Sequence, residues 1–161
     1  MTPELDTTLR SVAAAMASFP EGWWMIGSAA LALHGIEAGP VKDVDLLVDL
    51  SLAPAVLDRL GVAPLTLPPD PLFRSAVFAR WDVPRVPVEM MAGFQVSVGG
   101  IWRPVEPRSR ERTMIGDALL FVPDRSELLS LFRLFGRPKD AARIAALERA
   151  GVKPSPDSPA R

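Results

Sequence analysis

Val41-Lys42-Asp43-Val44-Asp45-Leu46-Leu47-Val48 is an apolar run that carries two aspartates two residues apart. Side chains of an extended strand alternate between faces. Asp43 and Asp45 therefore point to one side, with Cα atoms roughly 7 Å apart, and Val44, Leu46 and Val48 point to the other. Two like charges side by side on a half-buried strand are unfavourable unless something positive lies between them. A hard divalent cation is the simplest such partner, because Mg²⁺ prefers carboxylate oxygens and leaves positions for water or phosphate.

The residues upstream sharpen this reading. Trp23-Trp24-Met25-Ile26 reads as a short buried strand. Gly27-Ser28 follows, and Ala29-Ala30-Leu31-Ala32-Leu33-His34 then reads as a short helix stopped by Gly35. The predicted order is strand, Gly-Ser turn, helix, loop and acidic strand. Gly27 permits a tight turn and close approach of a ligand. Ser28 is predicted to cap the helix, whose free N–H groups attract phosphate. A phosphate cradle beside a carboxylate pair suggests chemistry on a nucleoside triphosphate.

On these residues, Ile26-Gly27-Ser28 followed by Asp43-Val44-Asp45 resembles the signature of the nucleotidyltransferase superfamily, whose fold is shared with DNA polymerase beta. The resemblance is strongest to the small bacterial enzymes of toxin–antitoxin and abortive-infection systems (AbiEii-like and MNT-like). It continues in Val122-Pro123-Asp124, Glu127-Leu128-Leu129 and Gly136-Arg137-Pro138-Lys139-Asp140, which look like the helical tail of those proteins. It spans roughly residues 20 to 150, the middle matching by pattern only.

The resemblance implies an α/β (α+β) fold, with a small mixed sheet flanked by helices and a C-terminal helical pair. It implies one domain over residues 1–151. It also implies a third carboxylate on a neighbouring strand. Glu89, in Val86-Pro87-Val88-Glu89-Met90-Met91, fits this role, although the family more often has Asp there. Asp82 and Asp49 are weaker candidates, a turn and a strand end being ordinary places for a solvated acid. By the same resemblance, Asp43, Asp45 and Glu89 are the metal-binding and catalytic residues, and Gly27, Ser28, Lys42, Arg137 and Lys139 bind the nucleotide. The cofactor is Mg²⁺ or Mn²⁺, with two ions roughly 3.5–4 Å apart. An NTP is the donor. The acceptor is a hydroxyl of an RNA such as tRNA, a protein or a small molecule, and a cognate toxin or antitoxin protein is an implied partner. An antibiotic-modifying enzyme and a catalytically silent partner-binding module remain alternatives.

The chain departs from the family in two places. Gly39 and Val41 stand where Arg-x-Thr or Arg-x-Ser often precedes the acidic strand. Phe132, with Arg133 beside it, stands where a Lys often lies. These changes remove expected contacts to phosphate or acceptor and leave the acids untouched.

Composition sets the bounds. A chain of 161 residues with 48% apolar content can bury a real core but is too short for two full domains. A net charge of −1 provides no general attraction to nucleic acid or acidic membrane. The lack of cysteine removes disulfides, thiolate catalysis and Cys-type zinc sites, and it is compatible with the cytoplasm. A single histidine argues against His-rich metal sites. No apolar run approaches the ~20 residues of a membrane span, and the acidic start Met1-Thr2-Pro3-Glu4-Leu5-Asp6 makes a poor signal peptide.

Elsewhere, Thr2-Pro3 opens a helix with a stripe of Leu5, Leu9, Val12, Ala13 and Met16. Ser51 is predicted to cap a helix ending at Gly61, and Pro68, Pro69 and Pro71 mark a loop. Strands are predicted around 73–81, 86–91 and 94–98. Asp124-x-x-Glu127 resembles a capping box for a helix through about Phe135. Pro138 opens a last helix stopping near Gly151, and residues 152–161 read as a frayed tail. Trp23 and Trp24 read as core. His34 reads as the closing residue of the motif helix. Arg103, Arg108, Arg110 and Arg112 read as a solvated loop and as the best local candidate for RNA contact.

Overall fold

The first helix begins as its sequence predicts. In the computed structural model, which describes residues 1–156, helix α1 (Pro3–Met16) starts with Thr2 Oγ1 accepting from the Leu5 N–H at 3.2 Å. All five stripe residues are buried. Strand β1 (Trp23–Ile26), helix α2 (Gly27–Leu33) and strand β2 (Val44–Val48) follow in the predicted order. A 3₁₀ turn (Leu50–Leu52) leads into α3 (Ala53–Leu60), which ends on Gly61 at φ +67°. Ser51 lies in that 3₁₀ turn and caps nothing, which corrects the expectation; Leu52 occupies the cap position, with no side-chain capping bond.

The predicted strand at 73–81 divides into β3 (Phe73–Arg74) and β4 (Val77–Trp81), which join different sheets. With β5 (Val88–Ala92), the main sheet runs β1-β2-β5-β4. The central β2–β5 pair is parallel and its flanks are antiparallel. A parallel pair requires a long crossover, here supplied by α3 and the proline-rich strap of residues 62–72. Strand β3 pairs with β6 (Gln95–Val98), which pairs with β7 (Ile101–Pro104). Strands β8 (Glu111–Ile115) and β9 (Ala118–Val122) form a hairpin, and α4 (Arg125–Phe135) and α5 (Asp140–Arg149) close the described chain.

The arginine-bearing stretch is part strand and part loop, with Arg103, Arg108 and Arg112 exposed and Arg110 the half-buried exception. Arg103 lies on β7, Arg112 on β8, and Arg110 leads into β8 with its guanidinium 3.4 Å from the Phe121 ring centroid. Arg110 also donates to the Trp23 carbonyl at 3.1 Å and the Pro20 carbonyl at 2.9 Å, tying the hairpin to β1.

The two faces of the main sheet are buried differently. Val44, Leu46, Val48, Val88, Met90 and Ala79 face the larger core with α1, α2 and α4. The opposite face sends Ile26, Leu47, Met91 and Phe78 into a smaller cluster with Phe94, Val96, Leu131, Leu134 and Phe135. The capping box forms by half. Asp124 accepts from the Glu127 N–H at 2.8 Å, but the Glu127 carboxylate turns to the backbone N–H groups of Arg108 and Ser109 and to the Ser109 hydroxyl. Of the stretch expected to fray, residues 157–161 lie outside the described residues; Ser155 donates its N–H to Ser130 Oγ at 2.9 Å.

Candidate active site

Strand register builds the acid cluster. Asp45 on β2 is paired side by side with Glu89 on the parallel β5. Glu89 is paired in turn with Arg80 on β4, and Asp45 with Ile26 on β1. Residues paired across a sheet share a face, so Ile26, Asp45, Glu89 and Arg80 form one row. The row lies where the smaller apolar cluster stops covering that face, one position beyond Leu47 and Met91 along each strand's alternation. Asp43 immediately precedes β2, at a bend.

The electrostatics are those of crowded acids. Burial first, then the charges of Asp43 and Glu89, push the Asp45 carboxyl up to about 7, while Arg137 and Arg143 pull it down. Glu89 is also raised, by burial and then Asp43; Arg80 and Lys139 oppose the shift. Asp43 is therefore close enough to act on both partners. Arg80, which the sequence reading did not single out, reaches Glu89 Oε1 at 3.4 Å and Asp82 Oδ1 at 2.7 Å. Asp82 is thus the arginine's anchor. Asp49 lies exposed at the far end of β2.

The two glycine-motif residues behave differently. Gly27 has φ +64°, and a Cβ there would collide with Asp45 Oδ2, so only glycine lets the backbone pass the acid. Ser28 sits inside the first turn of α2 and makes no capping bond; Ile26 holds the cap position. Ser28 lines a neighbouring groove with Thr2, Leu5 and Val41. That groove also holds Gly39.

A cleft of about 480 Å³ opens on the acid row. Asp45, Glu89 and Gly27 form one side, and Phe73, Phe94, Phe135 and Arg137 form another. Leu65 and Leu67 of the proline strap make the lip, held by the Leu65 N–H to the Phe78 carbonyl at 2.7 Å. At its other end, Asp70 Oδ1 accepts from the N–H groups of Leu72 and Phe73. Of the remaining candidates, Arg137 enters the cleft, Lys139 is exposed at the cap of α5 within electrostatic reach of Glu89, and Lys42 is exposed before Asp43. His34 is engaged elsewhere, its Nε2 on the Pro123 carbonyl at 2.8 Å.

The donor set suits a hard dication: three carboxylates, with no hydrogen-bond donor meeting Asp45 or Asp43 among the described residues. Among those residues no ready-made cage of three metal-binding side chains is drawn together. Asp45 and Glu89 border an open cleft, which leaves room for water and phosphate.

No family model and no curated protein matches this chain. Solved structures do. TM1012 of Thermotoga maritima, a candidate nucleotidyltransferase, superposes with a TM-score of 0.74 at 18% identity, covering 93% of this chain and 96% of that one. The antibiotic-resistance factor ANT(2'')-Ia in solution matches with a TM-score of 0.57 at 12% identity, over 89% of this chain and 83% of that one. Its crystal structure with adenylyl-2''-tobramycin matches with a TM-score of 0.59 at 11% identity, over 91% and 88%. The chain has the nucleotidyltransferase fold: a small mixed sheet flanked by helices, with a helical pair at its C-terminal end. No helix among the described residues is long and apolar enough to cross a membrane.

Proposed function

We propose that this protein is a metal-dependent nucleotidyltransferase in which an acceptor hydroxyl attacks the α-phosphorus of an NTP, takes the NMP and releases pyrophosphate. The observation that carries the proposal is the side-by-side placement of Asp45 and Glu89, with Asp43 acting on both, in a cleft that also holds Gly27 and Arg137. Asp43, Asp45 and Glu89 would hold Mg²⁺ or Mn²⁺. The metal supplies charge neutralisation of the triphosphate and a lowered pKa for the attacking hydroxyl. Gly27 keeps the backbone clear of Asp45 so that phosphate can approach. Arg137 in the cleft, with Lys139 within electrostatic reach of Glu89 and Lys42 next to Asp43, would offer positive charge to the phosphates. Glu89, or the acids acting together, accepts the acceptor's proton, a role suited to a carboxyl raised above its usual range. The aromatic side of the cleft excludes water from one flank of the reacting groups.

A toxin–antitoxin setting, with tRNA or a cognate protein as acceptor, remains the reading of the motif pair Ile26-Gly27-Ser28 and Asp43-Val44-Asp45. The antibiotic-modifying alternative draws support from the likeness to ANT(2'')-Ia. A silent binding module draws support from Phe132, which lies at 1% exposure in the core where a cation was expected, and from Gly39 and Val41 beside the separate groove. Incubation with each α-labelled NTP and Mg²⁺, against total tRNA, an aminoglycoside and the product of a neighbouring reading frame, separates the three. Label on an acceptor, lost in Asp43→Ala/Asp45→Ala, is the expected result. No label on any acceptor, and no NTP binding by calorimetry, leaves the silent module.

A further inference from the structure

Asp140 is the most deeply buried charged side chain among the described residues, at 0% exposure. It begins α5, three residues after Arg137 and three before Arg143. Its Oδ2 accepts from Arg137 Nε at 2.8 Å and from the Arg137 backbone N–H at 3.1 Å. Its Oδ1 accepts from Arg137 Nη2 at 3.0 Å and from Arg143 Nη1 at 3.1 Å. One carboxylate thus serves two guanidinium groups, leaving a surplus positive charge at the junction of α4 and α5.

The two arginines are not equivalent. Arg143 lies over the buried ring of Phe132, 5.4 Å from its centroid, and its side chain is only 15% exposed. Arg137 stands against Phe73 and Phe135, at 5.0 and 5.4 Å, and lines the cleft with Asp45 and Glu89. Asp140 occupies the Nε and Nη2 edge of Arg137 in a two-point grip. The remaining Nη1 group has no partner among the described residues. A purely structural ion pair needs neither a second arginine nor an unused donor edge in a cleft. Here Arg143 balances the buried carboxylate, so the charge of Arg137 stays available to a ligand, while aromatic rings and a bidentate grip hold its orientation.

We propose that Asp140 is a positioning residue for anion capture: neutralised by Arg143, it holds Arg137 so that the free Nη1 edge meets a phosphate of the nucleotide in the cleft. This rests on the nucleotidyl-transfer reading. A prepositioned guanidinium loses little rotamer entropy on binding, which is the physical gain of such a device.

The test is calorimetric binding of ATP, GTP, CTP and UTP, each with Mg²⁺, to wild type, Arg137→Ala, Asp140→Asn and the double variant. Arg137→Ala and Asp140→Asn should each weaken the preferred NTP about tenfold or more, and Asp140→Asn should add less than about twofold in the Arg137→Ala background. Because Asp140→Asn leaves two half-buried guanidinium groups short of a partner, Asp140→Asn/Arg143→Met supplies a charge-matched variant that must show the same loss. Arg143→Met alone keeps the Arg137–Asp140 grip but removes the charge that balances Asp140, so it should weaken NTP binding while Arg137 Nε–H exchange stays slow. Arginine Nε–H exchange by NMR reads the grip itself: slow at Arg137 in wild type, fast in Asp140→Asn/Arg143→Met. Wild-type affinity or unchanged exchange in that variant overturns the proposal, as does an undiminished Asp140→Asn effect without Arg137. A wild type that binds none of the four NTPs removes the functional reading beneath it instead.

Discussion

The two sides of the cleft are built by different physics. The acid side comes from one sheet, where register alone sets Asp45 beside Glu89, with Ile26 flanking Asp45 and Arg80 flanking Glu89. The opposite side is assembled from segments distant in sequence: the strap of residues 62–72, Phe73, Phe94, Phe135 and Arg137. The first side is crowded with like charge; on the second, Arg137 is stacked on Phe73 and paired to the buried Asp140, and Asp70 is held by the Leu72 backbone N–H. The acids hold their positions at a cost to the fold, whereas the arginine side contributes to it.

Neutralising the acid side should separate activity from stability most sharply. Asp45→Asn is expected to lower transfer by about 10³-fold or more, since it removes the charge of a proposed metal ligand. The same variant should raise the metal-free stability by roughly 1–2 kcal/mol, as a strained functional charge is relieved. Single-turnover transfer together with a urea titration reads both. Asp45→Asn that is both inactive and less stable at pH 8 would falsify the contrast between the two sides.

Titration gives the same comparison a pH axis. An Asp whose folded carboxyl holds its proton to about 7 releases it near ~4 when unfolded. Through that window the folded state binds more protons, so its stability falls as pH rises from about 4 to about 7, and the loss persists above. The advantage of Asp45→Asn over wild type should therefore be smaller at pH 5 than at pH 8, the gap between the two on the order of 1–2 kcal/mol. Mg²⁺ at millimolar concentration should erase it by stabilising wild type at pH 8. Melting curves at pH 5 and 8, with and without Mg²⁺, measure this. A gap of equal size at both pH values rules it out.

How much of this was legible in the chain follows from the same division. Alternation along residues 41–48 predicts which side chains share a face, and it separates Asp45 from the fully buried Val44, Leu46 and Val48. The α1 stripe and the stops at Gly35 and Gly61 are equally local. Glu89 entered through the resemblance, and register then set it beside Asp45. Arg80 escaped notice because nothing in its neighbourhood marks it until β4 is paired with β5. Arg110 misled, since a residue in a run of mixed charge reads as solvated. Its guanidinium is instead held over Phe121 by a hairpin that composition does not reveal. Ser51 and Ser28 failed as caps because both lie inside helical turns, where the hydroxyl is misplaced for the terminal N–H groups.

Gly27 joins the two sides and should respond at intermediate size. Gly27→Ala places a Cβ against Asp45 Oδ2 at a backbone angle of φ +64°. Both effects oppose folding, together by about 1–3 kcal/mol. Because the colliding group is the acid itself, Asp45→Gly should restore part of the lost stability, though no activity. A Gly27→Ala variant as stable alone as in the Asp45→Gly background would show that the close approach is not the constraint.

The smallest effect should come from the residue most readily taken for a catalytic base. His34, the sole histidine, closes α2 with its own N–H on the Ala30 carbonyl at 3.0 Å. Its ring Nε2 donates to the Pro123 carbonyl at 2.8 Å, just before the Asp124 cap of α4, and its carbonyl accepts from Arg125 at 2.9 Å. These bonds tie the motif helix to α4 on the far side of the acids, and His34 does not line the cleft. His34→Ala should therefore cost about 1 kcal/mol of stability, the worth of one ordinary hydrogen bond. Transfer should stay within about twofold of wild type when assayed well below the melting temperature. A larger fall in rate, with kcat reduced and KM unchanged, would bring His34 into the chemistry and shift the general base away from the acid row.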